Sequence, residues 1–389
     1  MKILIALTYY RPHVSGLTIY VERLARALVL RGHAVTVLTS QYERSLAAQE
    51  TLLGVHVVRV PVVFRVSKGV VMPTIGLEAT RQVLKHDALS VHLPQLDAWG
   101  IALRGRLFGR PTLLTYHCDL RLPRGLLNAA ANVGIKVANN IAATFSDRVV
   151  AYTKDYAIHT PFLRRYLRKL RVIPPPVEVA QAEEGARSAF AHRWKADGGP
   201  LIGMAARLAT EKGVEYLLEA LPLIRRRYPG AKVLFAGQYE DVFGEAEYRK
   251  SLQPRLDAAG ASWVFLGLLD PVEMAAFYHA CDVTVLPSIN STESFGMVQI
   301  ESMLCGTPVV ASDLPGVRFP VRSTGMGRIV PPHNPEALVA AVLEILERPE
   351  GFAGDAKRLA QEYAPDETAR RYEALFLEIR RETGSLPPE

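Results

Sequence analysis

Two glutamates eight residues apart bracket the stretch Glu293-Ser-Phe-Gly-Met-Val-Gln-Ile-Glu301, with a glycine between them where a loop would open into a helix. A helix start running through Phe295, Gly296, Met297 and Val298 presents backbone N–H groups that lack intrahelical acceptors, together with the positive end of the helix dipole. Both features suit a diphosphate, and Gly296 allows the close approach an anion needs. Glu301 falls two turns inside that helix and Glu293 just ahead of it. Both carboxylates can therefore line one cleft and accept hydrogen bonds from sugar hydroxyls. The plainer reading of the same residues is a helix cap at Glu293 and a solvated face at Glu301.

A second constellation, Arg207-Leu-Ala-Thr-Glu-Lys212-Gly213, ends an apolar run and begins a helical pattern. Cations at the carboxyl edge of a parallel sheet are placed to neutralise phosphates; two solvent-facing side chains are the bland alternative. In the first half His117 closes the run TLLTYH and Gly16 lies in the first strand-to-helix loop. Taken singly, they read equally well as a satisfied histidine and a turn glycine. Cys118, Cys281 and Cys305 lack C-x-x-C spacing and fit buried thiols better than a disulfide framework or a zinc site. The sequence contains no D-x-D triplet, so the usual acidic clamp for a divalent metal on a diphosphate is missing, and no metal or cofactor is assigned.

Periodicity supplies the elements that must hold these residues. KILIALTYY has strand length, and beyond Pro12, Ser15 and Gly16 a helical face carries Val21, Leu24, Ala25 and Leu28, with Gly32 as its stop. HAVTVLTS completes a βαβ unit of a parallel sheet, and PTLLTYH and RVVAYT continue the alternation. The three prolines of RVIPPPVE, at 171–178, can form neither helix nor central strand and are read as a linker. A second alternation follows, with strands in PLIGMAAR, AKVLFAG, WVFLG, DVTVLPS and TPVVAS, and helices over 214–227, 271–280 and 295–304. After Pro365 a last helix carries Ala369, Tyr372, Leu375, Phe376 and Ile379 on one stripe. The expected domains are 1–173, which binds the acceptor, and 174–364, which binds the donor, with 365–389 packing across the linker toward the first domain.

A chain of 389 residues, 49% hydrophobic and 22% charged, exceeds the ~250–300 residues at which single cores stop growing. The longest apolar stretch, around 55–75, is broken by Arg59, Arg65 and Lys68, short of the ~20 residues that cross a bilayer. The N-terminus reads as a first strand rather than a signal peptide, so a cytoplasmic protein is expected. Its net charge of +7 hides an asymmetry: residues 1–178 carry 24 Lys+Arg against 10 Asp+Glu, and the remainder 22 against 29. The basic half, at +14, is expected to dock on anionic membrane at the inner face of the cell membrane or on an acidic lipid-linked acceptor. Arg104, Arg106 and Arg110 contribute to it. So does 162–171, where Phe162, Leu163, Leu167 and Leu170 alternate with Arg164, Arg165, Arg168, Lys169 and Arg171 as in a membrane-surface helix. Nucleic acid is not an expected partner, because neither an RNA-binding aromatic signature nor a DNA-reading motif is present.

Ser15-Gly16, RGHAVTV, His117 in TYH, IPPPV, RLATEKG, ESFGMVQIE and SMLCGTPVVAS together resemble the retaining glycosyltransferase family 4, also called group 1, over essentially the whole chain. The resemblance implies an α/β protein of the GT-B type: two doubly wound parallel-sheet, Rossmann-like domains facing a central cleft. It further implies that Glu301 holds a nucleotide ribose, that Glu293 contacts the transferred sugar, and that Arg207 and Lys212 bind the diphosphate. Residues 296–298 would donate backbone hydrogen bonds to the phosphates, and His117 would contact the sugar from the opposite domain.

On this basis His117, Glu293, Arg207 and Lys212 form the catalytic set. The donor set is Gly16, Arg207, Lys212, Glu293, Phe295, Gly296, Met297, Val298 and Glu301. The implied reaction moves a hexose-type sugar from a UDP- or GDP-sugar to a hydroxyl acceptor, with retention and without a metal, in glycolipid, polysaccharide or cell-envelope synthesis. Base choice is expected in short loops near Leu266-Gly267-Leu268. Two departures from the family pattern stand out. Ser15-Gly16 replaces a frequent Gly-Gly pair, and Asp313-Leu314-Pro315-Gly316 follows GTPVVAS where another Gly-Gly pair is usual. A sugar-nucleotide epimerase of the same fold and a non-catalytic sugar-nucleotide-binding module are the alternatives. A dehydrogenase is excluded because YYRPHVSG lacks G-x-G-x-x-G after the first strand.

Overall fold

Unbroken apolar runs of strand length, separated by amphipathic stretches, build two α/β units. The computed structural model describes all residues except 67–68, 120–125, 196–197 and 384–389; of residues 66 and 126–131 it describes the backbone only. One unit comprises Met1–Pro176 and Tyr363–Glu389, the other Val177–Glu362.

The first unit runs β1 (Lys2–Ala6), α1 (Gly16–Leu30), β2 (Ala34–Gln41), β3 (Gln49–Leu52), β4 (Val55–Pro61), β5 (Phe64–Val66), β6 (Gly69–Val71), α2 (Ile75–Lys85), β7 (Ala88–Leu93) and α3 (Ala98–Leu107). It continues with β8 (Thr112–Tyr116), α4 (Leu126–Phe145), β9 (Arg148–Ala151), α5 (Lys154–His159) and β10 (Leu170–Val172). The sheet order is β10-β9-β8-β7-β1-β2-β4-β3, parallel except for the β3–β4 pair, while β5 and β6 form a separate hairpin. β7 is buried along its whole length, as helices on both faces of a parallel sheet require. The face expected for α1, with Val21, Leu24, Ala25 and Leu28, is the buried one.

The second unit runs α6 (Glu184–Trp194), β11 (Leu201–Ala205), α7 (Val214–Arg227), β12 (Lys232–Ala236), α8 (Ala246–Ala259), β13 (Trp263–Gly267), α9 (Pro271–Ala280) and β14 (Val283–Leu286). Then come α10 (Met297–Leu304), β15 (Val309–Ser312), α11 (Phe319–Thr324), β16 (Gly327–Val330), α12 (Pro335–Glu347) and α13 (Ala356–Glu362). All pairs in its sheet, ordered β13-β12-β11-β14-β15-β16, are parallel. The chain reverses its direction of winding between β11 and β14. In doubly wound sheets ligands bind beyond the carboxyl ends of the strands at such a switch point.

The last helix, α14 (Pro365–Glu382), belongs to the first unit. Its stripe of Ala369, Tyr372, Leu375, Phe376 and Ile379 is buried against that unit. Polar contacts fix it as well: Tyr372 shares hydrogen bonds with Tyr20 (2.9 Å) and Thr115 (2.6 Å), Arg31 pairs with Glu373 (2.6 Å), and Thr368 donates to the Pro174 carbonyl (3.2 Å).

Two expectations need correction. Residues 162–171 are not a surface helix: a single 3-10 turn, Leu163–Tyr166, leads into β10, which pairs with β9. Leu163 is fully buried, Phe162 stacks on Tyr116 with centroids 4.7 Å apart, and the Lys169 ammonium donates to the Thr144 and Ser146 carbonyls, each at 2.8 Å, closing the end of α4. Leu163 belongs to the core, Phe162 and Leu170 pack against it, Leu167 is exposed, and part of the charge caps a helix. The helix expected from Phe295 begins instead at Met297, because Gly296 adopts φ +77°, outside the helical region. Among the described residues no helix is long and apolar enough to cross a membrane.

Candidate active site

Beyond β11 the motif Arg207–Gly213 is held as a rigid loop. The Thr210 amide and hydroxyl both donate to one oxygen of Glu245, at 3.0 and 2.7 Å, and the 3-10 turn Thr210–Lys212 ends at Gly213, whose left-handed φ of +64° opens α7. A Cβ on Gly213 would lie 2.2 Å from the Pro287 carbonyl oxygen, so only glycine lets this loop meet the segment that follows β14. The Ile289 amide then donates to the Glu211 carbonyl at 3.1 Å. This backbone contact brings two motifs distant in sequence together: the Lys212 ammonium donates to Glu293 at 2.6 Å, with side chains only 20% and 15% exposed. Arg207 pairs with Glu211 at 3.1 Å and is 41% exposed.

The segment after β14 turns at Gly296 into α10. A Cβ at Gly296 would lie 2.3 Å from Leu286 Cδ2, and the helix cap carries no side-chain hydrogen bond. The first-turn amides of Met297 and Val298 have no acceptor within the helix, as at any helix start. Gln299 clamps the turn from behind, donating to the Phe295 carbonyl at 2.7 Å and the Val317 carbonyl at 2.9 Å. Phe295 itself is buried core, so its part in any ligand contact is restricted to the backbone. Glu301, half-buried in the second turn, accepts a hydrogen bond from the Tyr278 hydroxyl at 3.0 Å. Asp313 is spanned by Arg318 (3.1 Å) and Arg322 (3.3 Å). At the end of β13, Gly267 has φ +74° and Leu268 is largely exposed.

His117 and Gly16 belong to the other unit. Gly16 is exposed as the first residue of α1, where the preceding Ser15 caps the helix by accepting from the Thr18 amide at 3.2 Å. His117 lies just past the end of β8, buried, with both ring nitrogens engaged: Nε2 shares a hydrogen bond with His92 Nδ1 at 2.8 Å, and Nδ1 one with the Tyr152 hydroxyl. Burial, reinforced by the neighbouring His92, holds the His117 pKa well below the usual value, and burial pushes His92 down to about 3. Both rings are neutral at pH 7. His117 thus has the bonding of a satisfied histidine, and a sugar hydroxyl reaching its ring nitrogens would have to displace Tyr152 or His92.

The loops after β11 and β14 therefore bring Lys212 and Glu293 together just ahead of α10, with Glu301 one turn inside that helix, while Arg207 stands on the same loop as Lys212 and pairs with Glu211. Sequence reasoning missed Glu245, which ties down the cationic loop, and Tyr278, which holds Glu301. Tyr278 reads as one more apolar position of its helix, and Glu245 as an ordinary surface carboxylate.

Comparison with known proteins bears on the family and the fold. Residues 188–364 match the model of the glycosyl transferases group 1, and residues 14–181 that of Glycosyltransferase Family 4. A D-inositol 3-phosphate glycosyltransferase of Acidothermus cellulolyticus is 29% identical over 86% of this chain and 78% of its own length, and one of Segniliparus rotundus is 28% identical over 79% and 70%. Among solved structures, Anabaena HepE in complex with UDP-glucose superposes with a TM-score of 0.74 at 18% identity, covering 99% of this chain and all of its own. Sucrose-phosphate synthase from Thermosynechococcus elongatus superposes with a TM-score of 0.72 at 20% identity, covering 99% of this chain and 98% of its own. The fold is GT-B, and the chain belongs to the family 4, group 1 glycosyltransferases.

Proposed function

We propose that this glycosyltransferase moves a hexose-type unit from a UDP- or GDP-sugar to a hydroxyl acceptor with retention of anomeric configuration. The observation that carries the reading is the Lys212–Glu293 pair at the β11/β14 switch point, beside the uncapped start of α10. A cation, a helix dipole and a carboxylate are what a diphosphate joined to a sugar calls for. Support also comes from HepE, solved with UDP and with UDP-glucose.

In this reading the bond from the anomeric carbon to the β-phosphate oxygen breaks, and negative charge grows on the leaving diphosphate. Lys212, Arg207 and the amides of Met297 and Val298 stabilise that charge without reorganising. A β-phosphate oxygen takes the proton of the acceptor hydroxyl, whose oxygen bonds to the anomeric carbon from the face the phosphate leaves. Glu293 steadies the sugar hydroxyls and Glu301 the ribose. The ammonium has three N–H donors, so Lys212 can serve Glu293 and a phosphate together. With fixed cations in place, transfer needs no divalent metal. His117 is the weakest member of the set, because its ring nitrogens already have protein partners.

The first unit is assigned the acceptor. The inositol phosphate glycosyltransferases among its relatives and its positive charge both support an anionic or lipid-linked alcohol. Docking on anionic membrane is assigned to the neighbouring helices α3 and α4. Trp99, Leu107, Val133 and Val137 are exposed there beside Arg106 and Lys136.

The test is a melting-shift series with UDP, GDP and ADP, followed by product analysis with the matching sugar nucleotide, alone and with polyol phosphates and lipid-linked alcohols. One diphosphate should stabilise the protein, and donor alone should persist while a suitable acceptor draws the sugar away. Stabilisation by none of the three would overturn the donor assignment. Isomerisation of the donor in the absence of acceptor would replace transfer with epimerisation.

A further inference from the structure

We infer that Tyr278 is a positioning residue for donor binding, fixing the Glu301 carboxylate so that it can receive the ribose diol. This rests on the donor-site reading above. A glutamate side chain has three rotatable bonds, and one that must be ordered at the moment of binding lowers affinity by the entropy of ordering it. The Tyr278 hydroxyl donates to Glu301 Oε2 at 3.0 Å and selects one orientation in advance.

Tyr278 can do this because it is itself immobile. It is 1% exposed and packs edge-on against Phe277 with centroids 5.2 Å apart; its carbonyl accepts from the Thr307 hydroxyl at 2.6 Å. The helix that bears it, α9, opens with a full capping box formed by Asp270 and Glu273. Thr307 belongs to the GTPVVAS segment, so the anchor and its support both come from elements flanking α10.

Isothermal titration tests the inference, using whichever of UDP, GDP and ADP binds the wild type and the 2′,3′-dideoxy form of that same nucleotide. The wild type should prefer the ribose form, and Glu301→Ala should abolish the preference. Tyr278→Phe keeps the ring and its packing, and should reduce the preference about threefold to tenfold, the size of one hydrogen bond to a charged group or less. Its affinity for the dideoxy nucleotide should stay at the wild-type level. Equal weakening of both nucleotides by Tyr278→Phe, or an undiminished preference, would show that the residue is only core packing and overturn the inference. Persistence of the preference in Glu301→Ala, or binding of none of the three diphosphates, would overturn the donor-site reading, and the inference would fall with it.

Discussion

Replacing Glu293 with glutamine separates binding from turnover in a way the Lys212–Glu293 pair makes quantitative. The two side chains meet at 2.6 Å and are 20% and 15% exposed, so solvent screens the pair only partly. A charge-assisted hydrogen bond of this kind is worth about 1.5–3 kcal/mol, or roughly ten- to hundredfold in an equilibrium constant. An incoming diphosphate takes a further N–H of the same ammonium while Glu293 keeps its own, so two like-charged groups meet around one cation. Glu293→Gln keeps the shape and an acceptor oxygen but removes the carboxylate charge that repels the phosphates, so nucleoside-diphosphate affinity should hold or rise up to about tenfold. Turnover should nonetheless fall, by roughly a hundredfold or more, as when a group directed at the reacting sugar is lost. Lys212→Ala should do the reverse to binding and weaken the diphosphate by about 1.5–3 kcal/mol. Calorimetry on each variant, with initial rates alongside, checks both. If Glu293→Gln weakens the nucleotide as much as Lys212→Ala does, or leaves turnover intact, the division of labour is wrong.

Glu301→Ala should raise the donor KM with a smaller effect on kcat, measured by steady-state kinetics, since it is assigned the ribose rather than the reacting centre. Transfer should survive EDTA; complete loss restored by magnesium or manganese would show that the cationic loop does not replace a metal. His92 is held at about 3 by burial, below its unfolded value near 6.5. The folded protein keeps this ring neutral while the unfolded chain takes up a proton, so stability is lost as pH falls from about 6.5 toward 3, by up to about 1.4 kcal/mol per pH unit. Urea titrations of His92→Gln should show a shallower pH dependence over that range. Trp99 and Leu107 changed together to Ser should reduce sedimentation with anionic liposomes at low salt, and unchanged binding would remove α3 from the membrane assignment.

The helices over 214–227 and 271–280 were legible to the residue, the first because its apolar residues recur on one face behind Gly213, the second because Asp270, Pro271 and Glu273 mark its start. The stripe of α14 was equally plain. The segment 162–171 misled because its alternation of leucine and arginine fits a surface helix as well as it fits a short turn and an edge strand, and periodicity alone cannot tell them apart over ten residues. Gly296 and Gly213 were visible as glycines, but the backbone approach that demands glycine at 213 depends on Pro287, far along the chain. The same holds for the site. Lys212 and Glu293 were each recognisable, yet their pairing is a tertiary fact, created where β11 and β14 lie side by side. Tyr278 and Glu245 act only through partners that the fold supplies.

The most direct test of the central claim is a crystal structure with the nucleoside diphosphate that binds best. The diphosphate oxygens should lie within hydrogen-bond distance of the Met297 and Val298 amides and the Lys212 ammonium, with the ribose diol on Glu301. A diphosphate bound away from the start of α10, with the Lys212–Glu293 pair untouched, would contradict the account.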